Sequence, residues 1–368
     1  MRITTHQMKI IYGVCSWGLG HATRSLPVIR KLVSEHHAVT VISNGRSLEV
    51  LRKELGDTVH YADIPDYPML VSENTRQFLA KSMVYWPVFI KRIEDGLAQL
   101  QKILAKTHYD CIFSDARYDM YSKKIPSFFM SHQMRIMNPL RIKMFERSME
   151  RFNLFFFKRF VGVLVPDYKD RNLSGELSHN LRKIDEEAIH YVGVLSDFTK
   201  RPMKKDIDYL ISISGPEPQR SILEEKLLAQ APDLEGTIVV TLGKVEKYSV
   251  VKKKHCTMYS FVTKDLREEL LNRAKLVVSR SGYSTIMDVA VIGTKALLIP
   301  TPGQIEQEYL SKYHNSLGTF YSVTQDAVSL ISDVPRAKEK TGITRECDVQ
   351  KTVENIMQII TDATNHSP

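Results

Sequence analysis

The chain has 368 residues, 43% hydrophobic and 25% charged, which suits two domains of about 150 to 200 residues and excludes wholesale disorder or a membrane bundle. Its formal charge of +9 asks for an anionic partner, with nucleotide phosphate, an anionic membrane face and nucleic acid as candidates. Cys15, Cys111, Cys256 and Cys347 are far apart and form no Cys-x-x-Cys, which argues against zinc or a disulfide framework and for reduced thiols in a cytoplasmic protein.

The first apolar stretch contains Gly13, Ser16, Trp17 and Gly18 and so fails as a signal-peptide core. Met8 reads as a natural start, with Met1 to Gln7 as an extension. Lys9 to Cys15 reads as a strand, and Leu26, Ile29, Leu32 and Val33 then recur at helical spacing before a second strand over His37 to Ser43. Strand, Gly-rich loop, helix and strand form a βαβ unit that opens a Rossmann-like domain. Further strands end at Ser114-Asp115, Ser131-His132 and Pro166-Asp167, and in a parallel sheet those ends share the ligand-binding edge. The pattern breaks after Tyr191 to Phe198 at a basic, Pro-containing segment, so the boundary is expected at about 196 to 206. A second alternation follows, with strands in DYLISIS, TIVVTLG, TMYSFV, AKLVVS, KALLIP and TFYSV. Lys252-Lys253-Lys254 reads as a solvated turn before a strand. No zinc-finger spacing, RNP-like aromatic motif or basic helix with a heptad is present, which argues against nucleic acid.

In the second half, a strand through Leu276 to Val278 delivers Ser279-Arg280-Ser281-Gly282 to a helix start, where free N–H groups and the helix dipole favour phosphate. Ser281, Thr285 and Asp288 fall on one helix face, and seven residues at a rise of 1.5 Å separate the first from the last by about 10 Å. That span suits a diphosphate at one end and a ribose diol at the other. An N-cap serine with a solvated aspartate is the bland alternative.

The segment from Ala274 to Tyr313 resembles the C-terminal donor-binding region of the bacterial peptidoglycan N-acetylglucosaminyltransferases, the MurG type of glycosyltransferase family 28. The resemblance implies that Arg280, Ser281 and Gly282 form the phosphate turn, that Thr285 is the family threonine, and that Asp288 replaces the ribose-binding glutamate, one methylene shorter. It also implies that Gly303, Glu306 and Gln307 hold donor-sugar hydroxyls, that the backbone at Phe261 and Val262 reads uracil, and that Ser214 and Gly215 approach the donor phosphates. Pro216 departs from the family pattern at that last turn.

Gly18-Leu19-Gly20-His21 fails as a dinucleotide fingerprint, because His21-Ala22-Thr23 follows and the second strand ends in Ser43-Asn44-Gly45 without an acid. It is similar to the Gly-x-Gly-His loop of GT-B transferases, which puts Gly18 and Gly20 at the ligand. Histidine there can take a proton from an acceptor hydroxyl near neutral pH, or can merely bind backbone at a helix start. Ser114-Asp115-Ala116-Arg117-Tyr118 and Ser131-His132-Gln133 resemble a less characterised group of glycosyltransferases with the same loop. Asp115 then either orients His21 or is itself the base, and Arg117, His132 and Gln133 bind the acceptor.

The resemblance implies an α/β GT-B fold with two Rossmann-like domains facing across a cleft. Residues 1–196 would carry the acceptor and catalytic groups, and 206–368 the nucleotide-sugar, with the last helix able to pack back on the first domain. It implies transfer of a hexose from a UDP-sugar to a sugar, glycolipid or small-molecule acceptor, with inversion. The resemblance further implies that a helix start and basic side chains, in place of a bound metal, neutralise the leaving diphosphate, so neither metal nor cofactor is expected. A UDP-sugar 2-epimerase and a non-catalytic sugar-nucleotide-binding subunit of a membrane transferase remain the alternatives. Residues 139–160 set Met144, Phe145, Met149, Phe152, Phe155 and Phe156 at helical spacing among Arg141, Lys143, Arg147, Arg151, Lys158 and Arg159. Such a helix either lies on an anionic membrane at the inner surface or packs on the sheet with its basic face in water.

Overall fold

The computed structural model describes residues 7–68, 75–138, 140–244 and 248–365, with the side chains of 75–84 outside the description. Residues 1–6 of the expected extension and Pro139 of the amphipathic stretch therefore lie outside the described residues. Two compact units are present, one built from Met1–Asp197 and Asp348–Pro368 and the other from Phe198–Cys347.

The first unit runs β1 (Lys9–Val14), α1 (Leu19–Ser34), β2 (Ala38–Ser43), α2 (Gly45–Leu55), β3 (His60–Asp63), α3 (Thr75–Leu104), β4 (Cys111–Asp115), β5 (Ser127–Met130), α4 (Lys143–Phe157), β6 (Gly162–Val165) and β7 (Ile189–Tyr191). Its seven strands are parallel in the order β3-β2-β1-β4-β5-β6-β7. The run KIIYGV is apolar throughout because both sheet faces are covered. Ile10, Tyr12 and Val14 pack with Leu26 and Ile29 of α1, whereas Ile11 joins Ile112 and Leu100 on the opposite face. Strand order reverses between β1 and β4, where Val14 pairs with Asp115. A reversal of this kind opens a crevice at the carboxyl ends of the two strands.

In the second unit the order is β8 (Ile207–Ser212), α5 (Gln219–Gln230), β9 (Ile238–Thr241), β10 (Val250–Lys253), β11 (Cys256–Tyr259), α6 (Lys264–Arg273), β12 (Ala274–Ser279), α7 (Tyr283–Ile292), β13 (Lys295–Leu298), α8 (Ile305–Ser316), β14 (Tyr321–Ser322) and α9 (Leu330–Glu339). The sheet is β10-β11-β9-β8-β12-β13-β14, antiparallel only at β10-β11, and its reversal falls between β8 and β12. The chain ends in α10 (Val349–Asn365), whose Val353, Ile356, Met357 and Ile360 are buried in the first unit beside α1.

Three local expectations change. Lys252 and Lys253 are the end of exposed edge strand β10, and only Lys254, at φ 53°, lies in the turn. Lysine on an edge strand discourages pairing with another chain. The strand expected in TFYSV shrinks to Tyr321–Ser322. Helix α4 does not bury a purely apolar face: Glu146, Glu150 and Asn153 are inward with Phe156 and Phe157, while Met144 and Phe155 are 77% and 59% exposed. The inward acids are held by Arg141 and Arg135, each pair meeting at 2.6 Å.

Candidate active site

The first crevice is organised by α1 and β4. Gly18 precedes α1 with φ 83°, a conformation that favours glycine and lets the chain turn from β1 into the helix. Gly20 lies in the first helical turn, and His21 and Arg24, three residues apart, share one side of it. His21 Nδ1 is 2.9 Å from Asp115 Oδ1, with 15% of the imidazole side chain exposed and the carboxylate fully buried. Arg24 Nε donates to Asp115 Oδ2 at 2.8 Å, its Nη2 donates to Oδ1, and Ser25 Oγ donates to Oδ2 at 2.9 Å. Burial pushes the Asp115 carboxyl up, but the Arg24 guanidinium and His21 outweigh it and hold this acid far below the usual carboxylate range. Asp115 is thus held as an anion against His21 Nδ1.

Arg24 Nη1 also lies 2.9 Å from His132 Nδ1, which brings buried His132 into the same network. Ala116, immediately after Asp115, has φ 60°, and the turn is pinned by Ser114 Oγ donating to Arg117 O at 2.6 Å and by Tyr67 Oη donating to Ala116 O. Arg117 departs from its expected role. Its side chain is fully buried and donates to Asp119 at 2.6 and 3.0 Å and to Ile64 O at 2.9 Å, so it holds this loop and offers nothing to an acceptor. Gln133 is half-buried after β5, with its N–H donating to Ser131 Oγ at 3.0 Å. Beside the network, a cavity of about 250 Å³ lies at the starts of α1 and α2, lined by Ser16, Gly18, Leu19, Asn44, Arg46 and Ser47 among others.

The second crevice gathers most of the expected donor residues. The turn after β12 places Gly282, which has no side chain to cap with, as the N-cap of α7, at the helix end whose N–H groups and dipole favour an anion. Ser281 is fully buried and its Oγ donates to Gln307 O at 2.8 Å, so its hydroxyl proton is committed within the protein. Gln307 Oε1 accepts from Thr301 N–H at 2.9 Å and its amide donates to Gln304, which ties the loop after β13 to the start of α7. Gly303, at φ 78°, donates its N–H to Glu308 at 3.0 Å, and Glu306 is half-buried in the first turn of α8. Thr285 and Asp288 lie on the half-exposed side of α7, opposite buried Ile286, Met287 and Val289. Phe261 and Val262 are half-buried in the loop between β11 and α6.

Arg280 takes an indirect place. It is buried, and its guanidinium donates to Ser214 O, Gln219 O, Ile299 O and Pro300 O and to Gln325 Oε1, the last at 2.6 Å. Every one of these acceptors is neutral, and burial draws the guanidinium down to about 10. Among the described residues, no carboxylate pairs with this cation, which sits directly behind the turn after β12. It can attract a diphosphate through the field rather than by direct contact. Gly215, at φ 120°, passes close by: a Cβ there would stand 3.5 Å from Arg280 Nε and 3.6 Å from Thr301 Oγ1.

Ser25 and Gln325 were not marked by sequence reasoning. Arg24 had a readable signal in its i+3 spacing from His21, and Thr301, whose buried Oγ1 has no hydrogen-bond partner, opens the loop that the resemblance assigns to donor-sugar hydroxyls, although neither was given a role. Among the described residues, no group of three or more His, Cys, Asp or Glu side chains is arranged to hold a metal, all four cysteines are free thiols, and no helix is long and apolar enough to cross a membrane.

Two doubly wound sheets, each with its polar constellation at the strand-order reversal, are the architecture of a GT-B enzyme. Residues 8–115 match the model of Glycosyl transferase family 1, and residues 219–337 match the Glycosyltransferase family 28 C-terminal domain. The chain is a glycosyltransferase of GT-B fold, with a family 28 type of domain in its second half. It is similar to an uncharacterized glycosyltransferase of Methanosarcina acetivorans, 24% identical over 318 residues, or 82% of this chain and 80% of the relative. A shorter match, 34% identical over 96 residues, covers 26% of this chain and 27% of the UDP-N-acetylglucosamine--N-acetylmuramyl-(pentapeptide) pyrophosphoryl-undecaprenol N-acetylglucosamine transferase of Trichormus variabilis. The fold matches MurG of Acinetobacter baumannii with a TM-score of 0.58 at 12% identity, over 96% of this chain and 99% of that one.

Proposed function

We propose that the protein transfers a hexose from a UDP-sugar to a hydroxyl acceptor, with inversion and without a metal ion. The observation that carries this reading is the His21–Asp115 pair at the first strand-order reversal. The acceptor oxygen attacks the anomeric carbon, the bond from that carbon to the diphosphate breaks, and UDP leaves. His21 Nε2 takes the hydroxyl proton while Asp115 remains ionised and steadies the imidazolium. On the donor side, the start of α7, with the Arg280 charge behind it, receives the diphosphate, and Asp288 receives the ribose. The UDP preference draws on the Trichormus relative, whose name specifies a UDP-sugar.

The acceptor is lipid-linked in this reading and is met at an anionic membrane face. Leu140, Ile142, Met144, Phe155 and Val161 are exposed next to the cations Arg147, Arg151 and Lys158, an arrangement that suits anionic headgroups over acyl chains.

Isothermal titration with UDP, followed by turnover assays with and without EDTA, tests the proposal. Asp288→Ala should weaken UDP about ten- to a hundredfold, the cost of a lost charge-assisted bond of about 1.5–3 kcal/mol. His21→Ala should keep donor affinity but lose about a hundred- to ten-thousandfold in kcat. Conversion of the donor into an epimer with no acceptor present, or a strict divalent-metal requirement, would overturn it.

A further inference from the structure

The β10–β11 hairpin takes no part in the proposed transfer, and residues 248–260 contain Lys252, Lys253, Lys254 and His255 but no acid. Strand β10 is the outermost of its sheet, and the reversal between β8 and β12 lies deeper in it. We propose that the free edge of β10 is a docking site for an acidic, extended segment of another protein, which adds to the sheet as an antiparallel strand. Neither the donor nor the acceptor reading is needed for this contact.

The ladder decides which backbone groups face outward. Val250 stands opposite Tyr259 and Lys252 opposite Thr257, and Ser260 N–H donates to Ser249 O at 3.0 Å. Antiparallel partners alternate between bonded and non-bonded pairs. Val251 and Lys253 therefore bond to β11, while the N–H and C=O groups of Val250 and Lys252 point away from it. Among the described residues these outward groups have no partner, and every residue of β10 is exposed.

Side chains alternate across the strand, so Val250 and Lys252 share one face and Val251 and Lys253 the other. The valines are 40% and 49% exposed, and Lys252, Lys253 and Lys254 form no ion pair among the described residues. With one valine and one lysine on each side, neither face is an apolar surface that could lie in lipid. A second strand along the edge reaches all four side chains at once and satisfies the outward backbone groups. The same lysines repel a second copy of β10, so they select an acidic strand as well as attract it. Read from its N-terminus, an antiparallel partner places two acids opposite Lys253 and Lys252, then two β-branched apolar residues opposite Val251 and Val250.

The probe is a blocked peptide, Thr-Glu-Glu-Val-Val-Thr, with Thr-Lys-Lys-Val-Val-Thr as its counterpart, each titrated into the full chain and followed by NMR. The acidic peptide should bind saturably at about 1 mM or tighter and weaken as salt rises, and the lysine peptide should not bind. At ten times its dissociation constant, the acidic peptide should slow solvent exchange of the Val250 and Lys252 amides about tenfold. The amides of Val251 and Lys253, already bonded to β11, should change less. Absence of saturable binding at several millimolar, or equal protection of all four amides, overturns the proposal.

Two variants separate strand addition from simple charge attraction. Val250→Pro removes one outward N–H but leaves the lysines and the β11 bonds in place, and affinity for the acidic peptide should fall about fivefold or more. Undiminished binding would mean that charge alone makes the contact, against the proposal. Lys252→Glu combined with Lys253→Glu should exchange the preference, losing the acidic peptide and taking the lysine peptide. An unfolded variant cannot produce that exchange, so it decides even if Val250→Pro does not fold. If phosphatidylglycerol vesicles or duplex RNA bind through these lysines while the acidic peptide does not, the edge belongs to that polyanion and the strand partner is overturned.

Discussion

Asp115 is fully buried, so its charge persists only because Arg24, Ser25 and His21 surround it. Removing the arginine in Arg24→Met strands a buried carboxylate, and the expected loss is about 3–5 kcal/mol in urea denaturation. The pH dependence follows from the direction of the shift. A carboxyl depressed in the folded state contributes stability that is complete above its unfolded pKa of about 3.9 and is lost as pH falls toward the folded value. The wild-type advantage over Asp115→Asn should therefore be flat from pH 7 to about 5 and shrink progressively below about pH 4. A decline already between pH 7 and 5 would mean that Asp115 is not held as an anion. His21 and Asp115 were legible because a glycine-flanked histidine and an acid at a strand end are chemically unusual where they stand. Arg24 was legible only through its i+3 spacing from His21, since a mid-helix arginine otherwise reads as solvated until the fold shows it buried. Arg117 and Arg280 differ in the opposite sense: they stand at turns expected to bind ligand, yet both spend their donors on the scaffold.

Helix α4 shows how an element's spacing can be legible while its facing is not. The helical period of its aromatics was readable, but Glu146 and Glu150 turn inward because Arg141 and Arg135, contributed by the preceding loop, give them cationic partners. Glu150 also accepts from the N–H groups of Arg182 and Lys183, each at 2.7 Å, and so ties the helix to the loop before β7. Glu150→Ala leaves buried Arg135 only the more distant Glu176 carboxylate, at 3.7 Å, and should cost about 3–5 kcal/mol by thermal or urea unfolding. Met144→Ser and Phe155→Ser alter exposed side chains and should change stability by no more than about 0.5 kcal/mol. Membrane contact predicts a separate effect of the same pair. Co-sedimentation should occur with anionic but not neutral vesicles, weaken as salt shortens the screening length, and drop when Met144 and Phe155 are both serine. Equal binding to neutral vesicles, or none to anionic ones, would remove the membrane from the proposed function and favour a soluble acceptor.

At the scale of the whole molecule, the two sheets were readable because each strand is an apolar run ending at a turn, and both reversals fall where the motifs do. The path of α10 was legible only as an option, carried by the family resemblance. Nothing in an amphipathic helix states which unit will cover its apolar face, and here Val353, Ile356, Met357 and Ile360 complete the core around Ala22, Leu26 and Ile29. The approach is close: Gly193, at φ 101°, could not carry a Cβ, which would stand 2.3 Å from Thr352 Oγ1, and Asn355 Nδ2 donates to Val192 O at 3.2 Å. The first unit therefore depends on a helix that follows the entire second unit in the chain, so its core closes only after residues 198–347 have been made. Ile356→Ala removes a fully buried side chain from this contact and should cost about 2–5 kcal/mol. Native-state hydrogen exchange locates the loss. Amides of β1 and α1 should exchange faster by the corresponding factor, because their most protected state requires α10 in place, while those of β8 and β12 keep their protection. Unchanged protection in β1 and α1 would show that α10 covers a core already stable without it.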